Sequence, residues 1–168
     1  MNPFSRRLAI FALLGVALLA FLGWWYSPTQ ILKRRCDSFL DVISLSEHQE
    51  PAGRQVQALR LGDYLDRRVA ISGSELSEEI DSPMSRGDVQ AIFSAVGDAC
   101  TFIAITERQY ESIVIVGDDA TVQVLVKLAI GHPEGAARFD GTHRLLLSWR
   151  REKNAWVLAK VEWEWIAP

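Results

Sequence analysis

ESIVIVGDDATVQVLVKLAI, residues 111–130, sets two β-branched-rich runs on either side of a Gly117-Asp118-Asp119-Ala120 turn, the second with an apolar side chain at every other position from Val122 to Ile130. Period-two alternation around a Gly-Asp turn is the pattern of a β-hairpin with one buried face. The first arm extends back to Thr101, with a bend near Glu107–Gln109, and the second runs from Thr121 to Ile130. Downstream, His143 to Arg151 and Ala155 to Ile166 keep the same period around a tight Lys153-Asn154 turn. Four consecutive antiparallel strands are therefore expected.

Sorting the alternation gives two faces. Val122, Val124, Val126, Leu128 and Ile130, then Leu145, Leu147 and Trp149, then Val157, Val161, Trp163 and Trp165 form one apolar face. The opposite face mixes charge with Leu125, Leu146, Trp156 and Leu158. That mixture suits a partly covered surface, wet at its rim and apolar in its middle.

Before the strands the period is helical. Ser27-Pro28-Thr29-Gln30 reads as a helix start, with Ser27 as cap and Pro28 at the first helical position. Ile31, Leu32, Cys36, Phe39, Leu40 and Ile43 then recur on one stripe. A second helix is expected from Arg54 to about Asp66 with Val56, Leu59 and Leu65 inward, and a short strand at Val69-Ala70-Ile71. Glu75, Glu78, Glu79 and Asp81 read as a solvated loop, since a calcium site needs a tighter ligand order. Ser85 caps a third helix, with Asp88 completing the capping box and Gly97 ending it.

The first residues belong to another environment. Leu8 to Tyr26 contains no charge and would span about 28 Å as a helix, close to a hydrocarbon core. Arg6 and Arg7 precede it, and Trp24, Trp25 and Tyr26 stand at its far end, where amphipathic rings favour the headgroup level. The run is longer than a usual signal-peptide core and no clear small-residue cleavage site follows, so it reads as an uncleaved anchor. The expected layout is a tail over 1–7, a transmembrane helix over 8–26 and a folded domain over 28–168. A short tail crosses a bilayer less readily than it stays. This places the protein in the inner (plasma) membrane as a single-pass chain with its domain outside the cytoplasm.

Composition bounds the rest. The chain has 168 residues, 49% hydrophobic and 23% charged, which is ordinary for one folded domain. Without Arg6 and Arg7, 16 basic residues face 21 acidic ones, a net charge of −5 that speaks against nucleic acid as a partner.

The order of helices, short strand, helix and four-stranded meander resembles the nuclear transport factor 2-like superfamily, which includes SnoaL-like and ketosteroid isomerase-like domains. The 111–130 hairpin carries the resemblance, together with the ending LLLSWRREKNAWVLAKVEWEWI, residues 145–166. It covers roughly residues 28–166. It implies an α+β cone in which about three helices pack on a curved antiparallel sheet around an apolar pocket. It also implies a homodimer through the outer sheet face, for which Leu125, Leu146, Trp156 and Leu158 are the candidates.

Isomerase chemistry would need a carboxylate base and an oxyanion donor pair in a dry pocket. The first domain helix carries Phe39 and no tyrosine, and the inner face carries aliphatics and tryptophans. His48, His132 and His143 are scattered and show no metal-ligand spacing, so no metal is expected. No phosphate loop or dinucleotide fingerprint calls for a cofactor. Cys36 and Cys100 allow one disulfide in an oxidising compartment, or remain two buried thiols.

Two functions compete. The first is a membrane-anchored, non-enzymatic domain of the cell envelope that assembles with itself or an envelope protein. The second is a small-molecule binding protein or SnoaL-like enzyme using the cone pocket. The second predicts a cavity lined by Phe39, Phe93, Val126, Leu147 and Trp163, with His143 as an inward polar group.

Overall fold

A computed structural model describes residues 3–73, 82–131 and 140–167 of the chain, with side chains from Leu13 to Ile166. The acidic residues Glu75, Glu78, Glu79 and Asp81 lie outside the described residues, as do His132 and most of the loop that follows it. Four helices are α1 (Pro3–Trp25), α2 (Pro28–Ile43), α3 (Pro51–Leu61) and α4 (Arg86–Ala99). Six strands are β1 (Leu65–Gly73), β2 (Met84–Ser85), β3 (Phe102–Val116), β4 (Asp119–Gly131), β5 (Gly141–Glu152) and β6 (Ala155–Ala167). They form one sheet in the order β2-β1-β6-β5-β4-β3.

The sheet is mixed, not purely antiparallel. β3 to β6 form the expected meander, but β1 joins its far side parallel to β6, with Ile71 opposite Val161. Local alternation cannot show this, because a parallel neighbour reaches its place through α4 and the strands that intervene in sequence. β1 is also longer than the Val69–Ile71 core suggests.

The turns follow their residues. Gly117 has φ +63° at the β3–β4 turn, and Lys153 and Asn154 have φ +48° and +72° between β5 and β6. Left-handed backbone at both central positions matches the twist of a two-residue hairpin. β3 bends where expected, with register shifts between Ile105 and Glu107 and between Tyr110 and Ser112.

Helix α2 starts at its Ser27 cap and buries Leu32, Cys36, Phe39, Leu40 and Val42, while Ile31 in its first turn is exposed. Helix α3 begins at Pro51, earlier than expected, because proline is tolerated at a first helical position. It turns Ala58 and Leu61 inward and leaves Val56 and Leu59 exposed, against expectation. Polar side chains choose this face. The Gln57 amide donates to the carbonyls of Val42 and Ser44, and the Gln90 amide donates to those of Ala58 and Leu59.

Helix α4 opens with the Ser85–Asp88 capping box and runs through Gly97 to Ala99. Gly97 is not the stop. A Cβ there would lie 3.2 Å from Leu45 Cδ1, so the glycine permits close approach of the chain after α2.

The largest correction concerns β6. Ser148 pairs with Lys160 but Trp149 pairs with Leu158, so one extra residue sits on β6. Such a bulge exchanges the two faces of a strand. Beyond it Val161 and Trp163 pack against the core as expected, but before it Trp156 and Leu158 do. Trp156 is 5% exposed and Leu158 0%, so neither can belong to an outer contact face. Val157, opposite Arg150 in the register, is buried at 8% exposed but lies outside the main core cluster. Leu125 and Leu146 remain outward, opposite Arg144 and Glu162 respectively.

The described side chains of α1 are exposed, and none enters the core clusters. Its link to the domain is local. Arg34 lies 4.3 Å over the Trp25 ring and donates to the Trp25 carbonyl at 2.9 Å. Among the described residues, the core clusters draw only on residues 32–163. Among the residues whose side chains are described, which include α1 only from Leu13, no helix is long and apolar enough to cross a membrane.

Candidate functional site

Between α2, α4 and the concave sheet face lies a cavity of about 300 Å³. Its wall contains Phe39, Phe93, Val126, His143, Leu147 and Trp163. The C-terminal half of α2 supplies Phe39, and the capped helix α4 supplies Phe93. The sheet alternation brings Val126, His143 and Leu147 to the same face. Leu158 is also in the wall, placed there by the bulge, and β1 contributes Leu65, Val69 and Ile71. Sequence reasoning missed these residues because the bulge and the parallel pairing of β1 are both non-local. Ile92 and Val96 line the cavity and are themselves exposed at 48% and 40%, so its mouth opens beside α4.

Among the described lining residues His143 is the one polar side chain besides the Trp163 indole, and it is 1% exposed. Trp163 Nε1 donates to His143 Nδ1 at 2.7 Å, with the rings edge to face at 5.2 Å. An indole N–H can only donate, so Nδ1 must be the unprotonated nitrogen and the imidazole carries its proton on Nε2. Among the described lining residues there is no Asp, Glu, Tyr, Lys or Arg. The wall thus presents aliphatic and aromatic surface and one oriented neutral imidazole. Among the described residues it does not present the carboxylate base and oxyanion donors of an isomerase.

The titratable groups are concentrated instead where α2 packs on β3. Tyr110 Oη donates to Asp37 Oδ1 at 2.6 Å, and Arg108 Nη2 donates to Asp41 Oδ1 at 2.6 Å. Lys33 Nζ stands 4.9 Å from the centre of the Tyr110 ring. Burial pushes the Cys36 thiol up to about 12, against the opposing hydrogen bond from Tyr110. Burial, reinforced by the hydrogen bond to Asp37, also holds Tyr110 well above the usual phenol range. None of these groups is in the cavity wall. They fasten α2 to the edge strand.

Cys36 and Cys100 do not pair; both are buried free thiols. Cys100 packs with Leu45 and Ile103 in a separate small cluster. Cys36 belongs to the main core, seven residues before the end of α2, about 10 Å along the axis. The Cys100 carbonyl accepts from Arg54 Nη1 at 2.9 Å, which fixes the chain there. Among the described residues no three His, Cys, Asp or Glu side chains gather where they could hold a metal ion.

The outer sheet face is more polar than the sequence suggests. Trp156 and Leu158 are absent from it, leaving Leu125 and Leu146 as its central apolar residues. Around them Arg144 bridges Glu111 and Glu164 at 3.1 and 2.9 Å, and Lys160 meets Glu162 at 2.8 Å.

No family model matches the sequence, and no curated protein matches it. Solved structures do. A ketosteroid isomerase-like protein from Erwinia carotovora atroseptica aligns over 85% of this chain and 99% of its own, with TM-score 0.62 and 12% identity. A conserved protein from Planctomyces limnophilus aligns over 82% and 95%, with TM-score 0.59 and 14% identity. A nuclear transport factor 2-like protein from Cytophaga hutchinsonii aligns over 83% and 99%, with TM-score 0.56 and 16% identity. At these identities the likeness concerns fold alone. The fold of this chain is nuclear transport factor 2-like.

Proposed function

We propose that this chain is a membrane-tethered, non-enzymatic domain that holds an apolar small molecule in its cone. The observation that carries the binding reading is the cavity of about 300 Å³ with an apolar wall and one buried imidazole. Concave, mostly apolar sites with a few placed polar groups are the usual form of small-molecule pockets. The absence of a carboxylate from the described wall favours binding over acid–base turnover. The tether is read from the uncharged run Leu8–Tyr26 with its terminal aromatics, which would hold the domain outside the cytoplasm at the inner membrane.

The test of binding uses residues 28–168 and a neutral fluorescent probe, N-phenyl-1-naphthylamine. Saturable enhancement that is lost in Val126→Phe, with circular dichroism unchanged, supports the reading. Enhancement that survives filling of the cavity overturns it. The tether is tested on the full chain by alkaline carbonate extraction of membranes, where release of the chain overturns it.

Assembly through the outer face is a second reading, supported by the half-buried Leu125 and Leu146 in the middle of a charged rim. Such a surface fits a second copy of the domain or an envelope protein. Sedimentation equilibrium of residues 28–168 should show a dimer that Leu146→Glu dissociates. A monomer in the unaltered domain overturns self-assembly.

A further inference from the structure

We infer that the end of β3, Ser112 to Val116, pairs antiparallel with the same segment of a second copy, joining two sheets edge to edge. This surface is separate from the outer face considered above and independent of what the cavity holds.

The sheet ends in β2 on one side and β3 on the other. An edge presents a row of backbone N–H and C=O groups that can template another strand. Natural sheets blunt it with short strands, bulges, charges or covering chain. β2 is blunted by its length of two residues. Up to Glu111, β3 is guarded by other means. Leu45 and Ile103 exchange backbone hydrogen bonds at 2.8 and 2.9 Å. Register shifts interrupt the strand between Ile105 and Glu107 and between Tyr110 and Ser112. Arg108 and Tyr110 reach across to Asp41 and Asp37 on α2.

Past the second shift the guards stop. Ser112 to Val116 carries no charge and no proline, and four of its five residues are β-branched and apolar. It pairs with β4 in regular register, from Ser112 opposite Gln123 to Val116 opposite Asp119. Among the described residues no backbone hydrogen bond reaches its free side. Ile113 and Ile115 pack against the core, while Val114 and Val116 are 53% and 73% exposed. Side chains of this kind on an open edge suit a further strand.

The segment is complementary to itself. A two-fold axis at Val114 makes the two strands antiparallel and the contact closed. Ile113 then faces Ile115 of the second copy on the core side. Val114 faces its own equivalent, and Ser112 faces Val116, on the outer side. Any other register overlaps fewer of the five residues. Glu111, held by Arg144 at 3.1 Å, falls opposite Gly117, so no like charges oppose each other. Pairing leaves the cavities free, because β3 lines its cavity with Ile103 and Ile105 at the other end of the strand.

The test is disulfide trapping on the full chain in dodecyl maltoside micelles, with oxidation by copper phenanthroline. Val114→Cys places its thiols on the axis, and a covalent dimer is expected on non-reducing gels. Val116→Cys controls for chance collision. Its two copies stand four residues apart along the strand, about 13 Å, beyond the roughly 7 Å that a disulfide spans. It is expected to cross-link only when mixed with Ser112→Cys. Cys36 and Cys100 are buried, and the unaltered chain gives the baseline. Light scattering of the same micelles should show a dimer that Val114→Lys converts to monomer, since lysine guards natural edges. Far-UV circular dichroism checks that each variant keeps the fold. A monomeric unaltered chain, no cross-link in Val114→Cys, or equal cross-linking in Val114→Cys and Val116→Cys overturns the inference. A dimer that survives Val114→Lys also overturns it, and its loss in Leu146→Glu would assign the contact to the outer face.

Discussion

Replacing Leu158 and Leu146 separately by alanine measures the bulge that most changes the reading of this molecule. A strand with uninterrupted alternation puts both residues on one outer face. The structure puts Leu158 in the core at 0% exposure and leaves Leu146 half-buried outside. A buried Leu→Ala change costs about 2–5 kcal/mol, the spread reflecting the void that remains. One side of Leu158 already borders the cavity, so part of its surface has no packing partner to lose. About 3 kcal/mol is therefore expected for Leu158→Ala. Leu146→Ala, between Gln123 and Glu162, should cost less than about 1 kcal/mol.

The assay is urea unfolding of residues 28–168 followed by tryptophan fluorescence, to which the buried Trp149 and Trp156 contribute. With a denaturant slope of about 2 kcal/mol per molar, Leu158→Ala lowers the midpoint by about 1.5 M. Leu146→Ala should lower it by less than about 0.5 M. Equal shifts, or a larger one for Leu146, would refute the placement of the extra residue on β6.

Two further outcomes follow from the interior. Cys36, with its thiol pushed up to about 12 by burial, should not react with a disulfide reagent at pH 8 until the domain is unfolded. Its raised value also has a sign. The stability it represents is full below the unfolded thiol value of 9.0 and is lost as pH climbs toward 12, so the urea midpoint should fall across that window. Cys36→Ala should flatten that fall only in part, because Tyr110 is displaced in the same direction and loses stability in the same sense at higher pH. A midpoint that rises above pH 9 would contradict both assignments. At the surface, Ser85→Ala removes one half of the α4 capping box and should cost about 1 kcal/mol, seen as a midpoint loss of about 0.5 M. An unchanged midpoint would mean the box adds nothing to α4.

Much of the cavity was legible because its residues obey two local periods. Phe39 and Phe93 sit on helical stripes, and Val126, His143 and Leu147 sit on alternating strands. All of them line the cavity together with Trp163. What was not legible is the company they keep. The Trp163–His143 hydrogen bond depends on the register of β5 with β6, and twenty residues separate the partners. That Nδ1 serves as the acceptor follows only once the indole is beside it.

The sequence by itself determined where elements begin, where they turn and which period each follows. The Ser27 and Ser85 caps, the Gly117 turn and the Lys153-Asn154 turn are short-range chemistry, complete within a few residues. Tertiary structure alone decided the face of α3, the parallel seat of β1, the separation of Cys36 from Cys100 and the exchange of faces on β6. Each of those depends on a partner far away in the chain. The Gln57 and Gln90 amides find carbonyls on other turns and helices, and the extra residue on β6 is accommodated only against β5. A bulge leaves the composition of a strand unchanged and shifts its phase by one residue. The side chains before and after it therefore look alike in sequence and occupy opposite faces in the fold.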